Sequence, residues 1–331
     1  MKGFSNRWRD FPDYIIGVTK QIWEDRGVGT LNDYYAPDIP VRSPMGVQRG
    51  NQAVIASTMA TINEFPDRAL LGEDVIWSQD PEFGLLSSHR LITSATHTRD
   101  GQFGPATGKR WSVRVIADCA VKDDTIYDEW LVRDYGGIVR QMGMNPADYA
   151  RDLITLEGGP EACARPFTPE MDVDGGYGGR GNDNAWGQRY AATLTKLMAA
   201  DFDTVAQEYD RAVNCEYAGG VSGLSHRDVT QFWLGLRSSF PSAQFKVHHQ
   251  IGMDGDMLPP RAAIRWSLDG VHDGWGSFGP PSGARVHVMG LCHAEYGPFV
   301  NATGPQDATI RREYALIDEI AIWKQILMHK G

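Results

Sequence analysis

The stretch Ile126-Tyr-Asp-Glu-Trp-Leu-Val-Arg-Asp134 carries three carboxylates in a run of strand-forming residues. Side chains alternate along a strand, so Asp128, Trp130, Val132 and Asp134 share one face and Glu129, Leu131 and Arg133 the other. If the tryptophan face points inward, Asp134 is a desolvated acid at the inner end of the strand. Burial raises a carboxyl pKa toward neutrality, where the group can take a proton from a carbon next to a carbonyl. That reaction also needs a group to polarise or protonate the carbonyl, and the imidazole of His97 suits the task near neutral pH. Arg90 could hold a carboxylate or an enolate.

These residues occur twice. FGPATGKRWSV begins at position 103 and FGPPSGARVHV at 278, an offset of 175. The same offset carries Tyr34 onto Tyr209, Phe65-Pro66 onto Phe240-Pro241, Arg90 onto Arg265 and His97 onto His272. Further along the offset becomes 184, and Glu129, Asp134 and Gln141 fall on Glu313, Asp318 and Gln325, with Tyr314 in place of Trp130. The second copy therefore holds a nine-residue insertion, placed in GPFVNATGP (297–305). A period this long means a duplicated domain and not a solenoid.

The elements follow from the pattern of apolar residues. In the first copy, residues 13–25, 30–38 (stopped by Pro37) and 51–65 read as helices. Four alternating or β-branched runs separated by Gly, Asp and Pro follow, which predicts an antiparallel meander. Helices followed by consecutive strands predict an α+β domain with helices on one face of a sheet. The second copy repeats the order, with helices over RYAATLTKLMAA, TVAQEYDRAV and HRDVTQFWLGLRSSF and strands from QFKVHHQIGMD onward. We divide the chain into domain 1 (8–143), a Gly/Asp-rich linker (144–185) and domain 2 (186–331).

Composition excludes several classes. A net charge of −10 with no basic stretch argues against nucleic acid as a partner. No run of about 20 apolar residues predicts a membrane span. The N-terminal residues lack the apolar core of a signal peptide, so a cytoplasmic location is expected. Cys119, Cys163, Cys215 and Cys292 form no CxxC pair and do not coincide between the copies, which predicts reduced thiols. The DVDG at 172–175 lacks the later Glu of a calcium loop, and His248-His249 point to opposite strand faces, so no metal site is expected.

The phrases IWEDRGVGTLNDYYAPDIPVRSP, ATHTRDGQFGPATGKRWSV and IYDEWLVRDYGGIVRQMG resemble the SnoaL-like polyketide cyclases and related ester cyclases of the nuclear transport factor 2-like superfamily. The second copy resembles a diverged version that keeps FGPPSGAR and EYALID. The resemblance implies two tandem cone-shaped domains (cystatin-like α+β rolls), each a curved antiparallel sheet with about three helices around an apolar pocket. It implies acid–base chemistry without a metal or organic cofactor on a small, largely apolar carbonyl compound, of cyclase, isomerase or lyase type. The family pairs its pocket Asp with a His on the preceding strand. The first copy has Asp118 there, whereas the second offers His287, His293 and Glu295.

The expected catalytic groups are thus Asp134, His97 and Asp118 in one copy and Asp318, His272 and His293 in the other. Arg90, Trp130, Arg265, Tyr314 and Glu295 are the expected substrate contacts. Two alternatives stand beside this: a binding protein that has lost its chemistry, and an epoxide-hydrolase-like enzyme using Asp118, Arg90 and Asp134. The two copies are expected to pair within the chain, with a homodimer as a further option. The first copy is expected to keep the general family pocket, and the second to be altered, with loop 297–305 as a lid or plug.

Overall fold

The computed structural model describes residues 3–255, 257–297 and 307–330. Asp10 caps the first helix, α1 (Phe11–Thr19), by accepting the amide of Asp13, and the helix runs through a π turn to Glu24. Next come α2 (Leu31–Tyr34), a hairpin of β1 (Pro40–Ser43) and β2 (Gly46–Arg49), and α3 (Asn51–Glu64). The meander β3 (Ala69–Asp80), β4 (Gly84–Thr96), β5 (Arg110–Lys122) and β6 (Thr125–Arg133) then closes a sheet in the order β2-β1-β6-β5-β4-β3.

After α4 (Tyr135–Gln141) and α5 (Pro146–Leu156), the whole arrangement recurs. Helices α6 (Ala185–Met198) and α7 (Thr204–Glu208) lead into β7 (Tyr209–Tyr217) and β8 (Val221–Gly223). Helix α8 (His226–Ser239) precedes β9 (Gln244–Met253), β10 (Arg261–Val271), β11 (Arg285–Gly297) and β12 (Thr309–Leu316), and α9 (Glu319–Lys330) ends the described chain. The second sheet has the order β8-β7-β12-β11-β10-β9. Registers coincide as well: Arg90 pairs with Ile116 and Arg265 with Leu291, Asp118 with Trp130 and His293 with Tyr314. The duplication is structural as well as textual.

The hairpin that revealed the repeat is a clasp. The His97 amide donates to the Lys109 carbonyl and the Gly108 amide returns to the His97 carbonyl, and His272 does the same with Ala284 and Gly283. Gly108 and Gly283 hold φ of 68° and 78°, the left-handed region that glycine enters without a Cβ clash. A turn with that requirement keeps its glycines when the rest of the copy drifts.

Three details differ from expectation. Each sheet is mixed, because β1 runs parallel to β6 and β7 parallel to β12. The expected helix TVAQEYDRAV stops at Glu208, where Tyr209 turns inward and the chain becomes a strand. The segment 144–185 is not all linker: α5 packs on α9, where the buried Lys324 donates to Glu157 at 2.6 Å. The expected lid at 297–305 lies, beyond Gly297, outside the described residues.

The two sheets stack through one face each. Ile116 and Val132 meet Leu291, Tyr314 and Leu316, and a second patch joins Ile76, Leu86 and Ala120 to Ile251 and Ala263. The opposite faces are the concave ones, covered by each domain's own helices. All four cysteines are buried and free. No helix of the described residues is long and apolar enough to cross a membrane.

Candidate functional site

Stacking the sheets fixes which strand face is which. Asp128, Trp130 and Val132 of β6 point into the domain junction, and Glu129, Leu131 and Arg133 line the cone. The assignment made from the tryptophan is therefore inverted. Both faces of β6 are buried, so alternation alone could not say which one met a pocket.

The cone of domain 1 holds two chambers that share walls. The outer one is about 660 Å3 and includes Met45, Phe65, Phe103, Trp111 and Tyr135. The inner one is about 80 Å3 and includes Tyr35, His89, Cys119 and Glu129. Trp23, Gln48, Ser57, Thr58, Arg68 and Arg133 border both, so they form the collar between them.

Glu129 is the one carboxylate of the inner chamber. Burial pushes its carboxyl up to about 7, against the pull of the Tyr35 phenol that donates to it and of the nearby Arg133. Its Oε2 is buried without a hydrogen-bond partner. Arg68, also buried, donates its Nε to Thr93 Oγ1 at 3.0 Å and stacks over Trp23. Burial and then the charge of Arg133 pull the Arg68 guanidinium down to about 9, so it stays cationic at neutral pH. Burial holds His89 at about 4, hence neutral, with Nδ1 3.1 Å from Ser87 Oγ. A carboxylate titrating near neutrality thus faces a cavity ringed by two guanidiniums. It can move a proton at neutral pH, and the collar can hold negative charge.

The cone of domain 2 has been closed by substitution. Register places Ile264 where domain 1 has His89, Trp266 where it has Leu91, and Ala243, Ile317 and Trp233 opposite Arg68, Arg133 and Thr58. Only the acid remains. Glu313 is fully buried and accepts from the hydroxyls of Tyr190, Tyr209 and Tyr217 and from Trp233 Nε1. A shallow cavity of about 350 Å3 bordered by Phe232 and Phe278 does not include Glu313 in its wall.

The residues singled out from sequence fall into three groups. Asp134 caps α4 and accepts the amides of Gly137 (2.8 Å), Gly219 (2.7 Å) and Gly220 (2.8 Å), so it pins the two domains together and lines neither chamber. Burial raises Asp134 to about 6 and Asp318 to about 7, and Asp318 is spent on the amides of Ile320 and Ala321. His97 and His272 are buried in their clasps, with Nδ1 against Thr107 Oγ1 (3.2 Å) and Ser282 Oγ (3.0 Å).

The remaining group gathers between the sheets. His293 meets Ser88 Oγ at 2.9 Å and Arg90 at 3.3 Å, and Arg90 also pairs with Glu73 and Glu295 while lying over the Tyr314 ring. Asp118 lies 3.7 Å from Arg265, which stacks on Trp130. This network fastens one domain to the other. The Asp118, Arg90 and Asp134 set does not converge, because Arg90 is held by Glu73 and Glu295 and Asp134 by the three amides. Sequence reasoning missed Glu129 as the cavity acid, although its recurrence as Glu313 was a usable signal. Arg68, Arg133 and His89 left no trace, since the second copy lacks them.

Residues 9–142 match the model of the SnoaL-like polyketide cyclase family. Among solved structures, IdmH of Streptomyces antibioticus is 22% identical, with a TM-score of 0.35 over 40% of this chain and 98% of its own. TsrD of Streptomyces laurentii is 19% identical, with a TM-score of 0.33 over 40% of this chain and 90% of its own. A SnoaL-like polyketide cyclase of Agrobacterium tumefaciens is 20% identical, with a TM-score of 0.31 over 41% of this chain and 94% of its own. No curated protein matches the chain.

Proposed function

We propose that domain 1 is a cofactor-independent acid–base catalyst for a carbonyl compound, and that domain 2 is its sealed structural partner. The reading rests on one observation: Glu129, held near neutrality with a free Oε2, ends a cavity whose collar carries Arg68 and Arg133. Ionised Glu129 takes a proton from the carbon next to a carbonyl. The C–H electron pair passes into the enolate, and the guanidiniums accept the charge that develops on oxygen. In a cyclisation the enolate carbon then attacks a second carbonyl of the same molecule, and the new alkoxide recovers the proton from Glu129. In an isomerisation the proton returns to a different carbon. The outer chamber is within the usual size range of ligand sites, and its rings suit an aromatic or apolar body.

Thr58 borders both chambers, and its counterpart in the closed cone is Trp233. Thr58→Trp should therefore fill the inner chamber of domain 1 at an overpacking cost of about 1–3 kcal/mol. The assay is exchange of the α-protons of aryl ketones into D2O, followed by NMR. The wild-type protein is expected to accelerate exchange and the folded Thr58→Trp protein to fall to background. Exchange that survives in Thr58→Trp would place the chemistry outside this cone.

A further inference from the structure

A separate cavity of about 260 Å3 lies between the linker and the outer face of the second sheet. It contains Arg265, which is 7% exposed. The guanidinium of Arg265 sits 3.5 Å over the Trp130 ring, and its nearest carboxylate, Asp118, is 3.7 Å from Nε, beyond hydrogen-bond length. Its Nη1 is buried with no acceptor. A buried charged donor left unmade costs more than most single contacts contribute, so this group is short of a partner. His287 Nδ1, in the same wall, is also buried without a hydrogen bond, with Asp269 at 3.8 Å.

The wall itself carries three cations, Arg180, Lys246 and Arg265, against one carboxylate, in a protein whose net charge is −10, while Asp118 and Asp128 lie behind Arg265 and Asp269 and Glu170 beside His287. The exposed Lys246 and Arg180 stand at the rim, and the one carboxylate in the wall, Asp172, is taken by Arg42. Burial and the charge of Arg265 keep His248 at about 4, so it adds no charge of its own. Tyr177 and Phe167 supply aromatic surface beside the guanidinium. The volume is below the usual range for drug-sized ligands.

We propose that this cavity binds a small aromatic carboxylate, with its carboxylate on Arg265 and its ring against Tyr177 and Phe167. A planar guanidinium matches a carboxylate through two parallel hydrogen bonds, and the rings select a flat apolar body. The site depends on both domains and the linker, and none of its groups takes part in the chemistry assigned to Glu129. It also adjoins the funnel through the linker: Arg165 and Met171 border the outer chamber, and Phe167 and Pro169, between them in sequence, border this cavity.

The test is calorimetric titration with benzoate at neutral pH. The wild-type protein should bind one equivalent, Arg265→Gln should bind at least about tenfold more weakly, and Lys246→Glu should also weaken binding measurably. Thr58→Trp, which fills the other cavity, should bind benzoate as the wild type does, and inorganic phosphate should not displace it. The proposal is overturned if the wild-type protein does not bind benzoate, if neither charge variant weakens it, or if Thr58→Trp abolishes it. Should Arg265→Gln fail to fold because Asp118 loses its neighbour, the exposed Lys246→Glu decides alone.

Discussion

Glu129→Gln should lower α-proton exchange by about a hundred- to ten-thousand-fold, the usual worth of a positioned general base. The amide keeps the size of the side chain and still accepts from Tyr35, so the cavity should survive and only the proton carrier is lost. Glu129 is the carboxylate of the inner chamber and has one oxygen free, whereas Asp134 is held by backbone amides and Asp118, whose Oδ1 is also unpartnered, lies between the sheets beside Arg265 and outside that chamber. The rate of the wild-type protein should rise with pH through about 7 as the carboxyl ionises. Asp134→Asn should leave the chemistry in place and loosen the junction with Gly219 and Gly220. An intact rate in Glu129→Gln beside an abolished one in folded Asp134→Asn would reverse the assignment.

The second large effect concerns stability and the other copy. Glu313→Leu should destabilise the protein by about 4 kcal/mol, read as a lower urea midpoint with little change in slope. Three tyrosine hydroxyls and an indole N–H converge on that carboxylate, and a leucine leaves these buried donors with nothing to bond. The same acid in the two copies thus does opposite work. In domain 2 its hydrogen bonds are complete and the cone is full. In domain 1 they are incomplete and the cone is open, the usual arrangement where a group is kept for reaction at some expense of stability. A Glu313→Leu protein as stable as the wild type would show that the closed cone is not held by its acid.

The pattern of what could be read from sequence follows from burial. The repeat, the helix-then-meander order and the resemblance to the family were legible because turns such as the His97 clasp demand particular residues at fixed places. The junction residues were legible as a set too: Arg90, Asp118, Trp130, Arg265, His293, Glu295 and Tyr314 do meet. They meet between the sheets, on the face of β6 opposite Glu129 and its cone. Alternation sorts residues into faces but names neither face, and here the pairing of the domains buries both. The collar arginines arise from a turn (Arg68) and a strand end (Arg133), and only the closure of helix α3 over the sheet brings them together. The aromatic cavity at Arg265 depends on where the linker lies, which no local pattern encodes.

The central claim is that Glu129 is a buried carboxyl poised near neutrality, and it can be tested without knowing the substrate. The measurement is the difference in unfolding free energy between wild type and Glu129→Gln as a function of pH. A raised pKa means the folded state holds the proton more tightly than the unfolded state. The wild-type contribution is therefore fully present below the ordinary value of 4.5 and is lost as pH rises to about 7. Relative to the variant, the wild-type protein should lose about 1.4 kcal/mol per pH unit across that window and then level off. A difference that stays flat from 4.5 to about 7 would show that Glu129 titrates as an ordinary carboxyl, and would contradict the account.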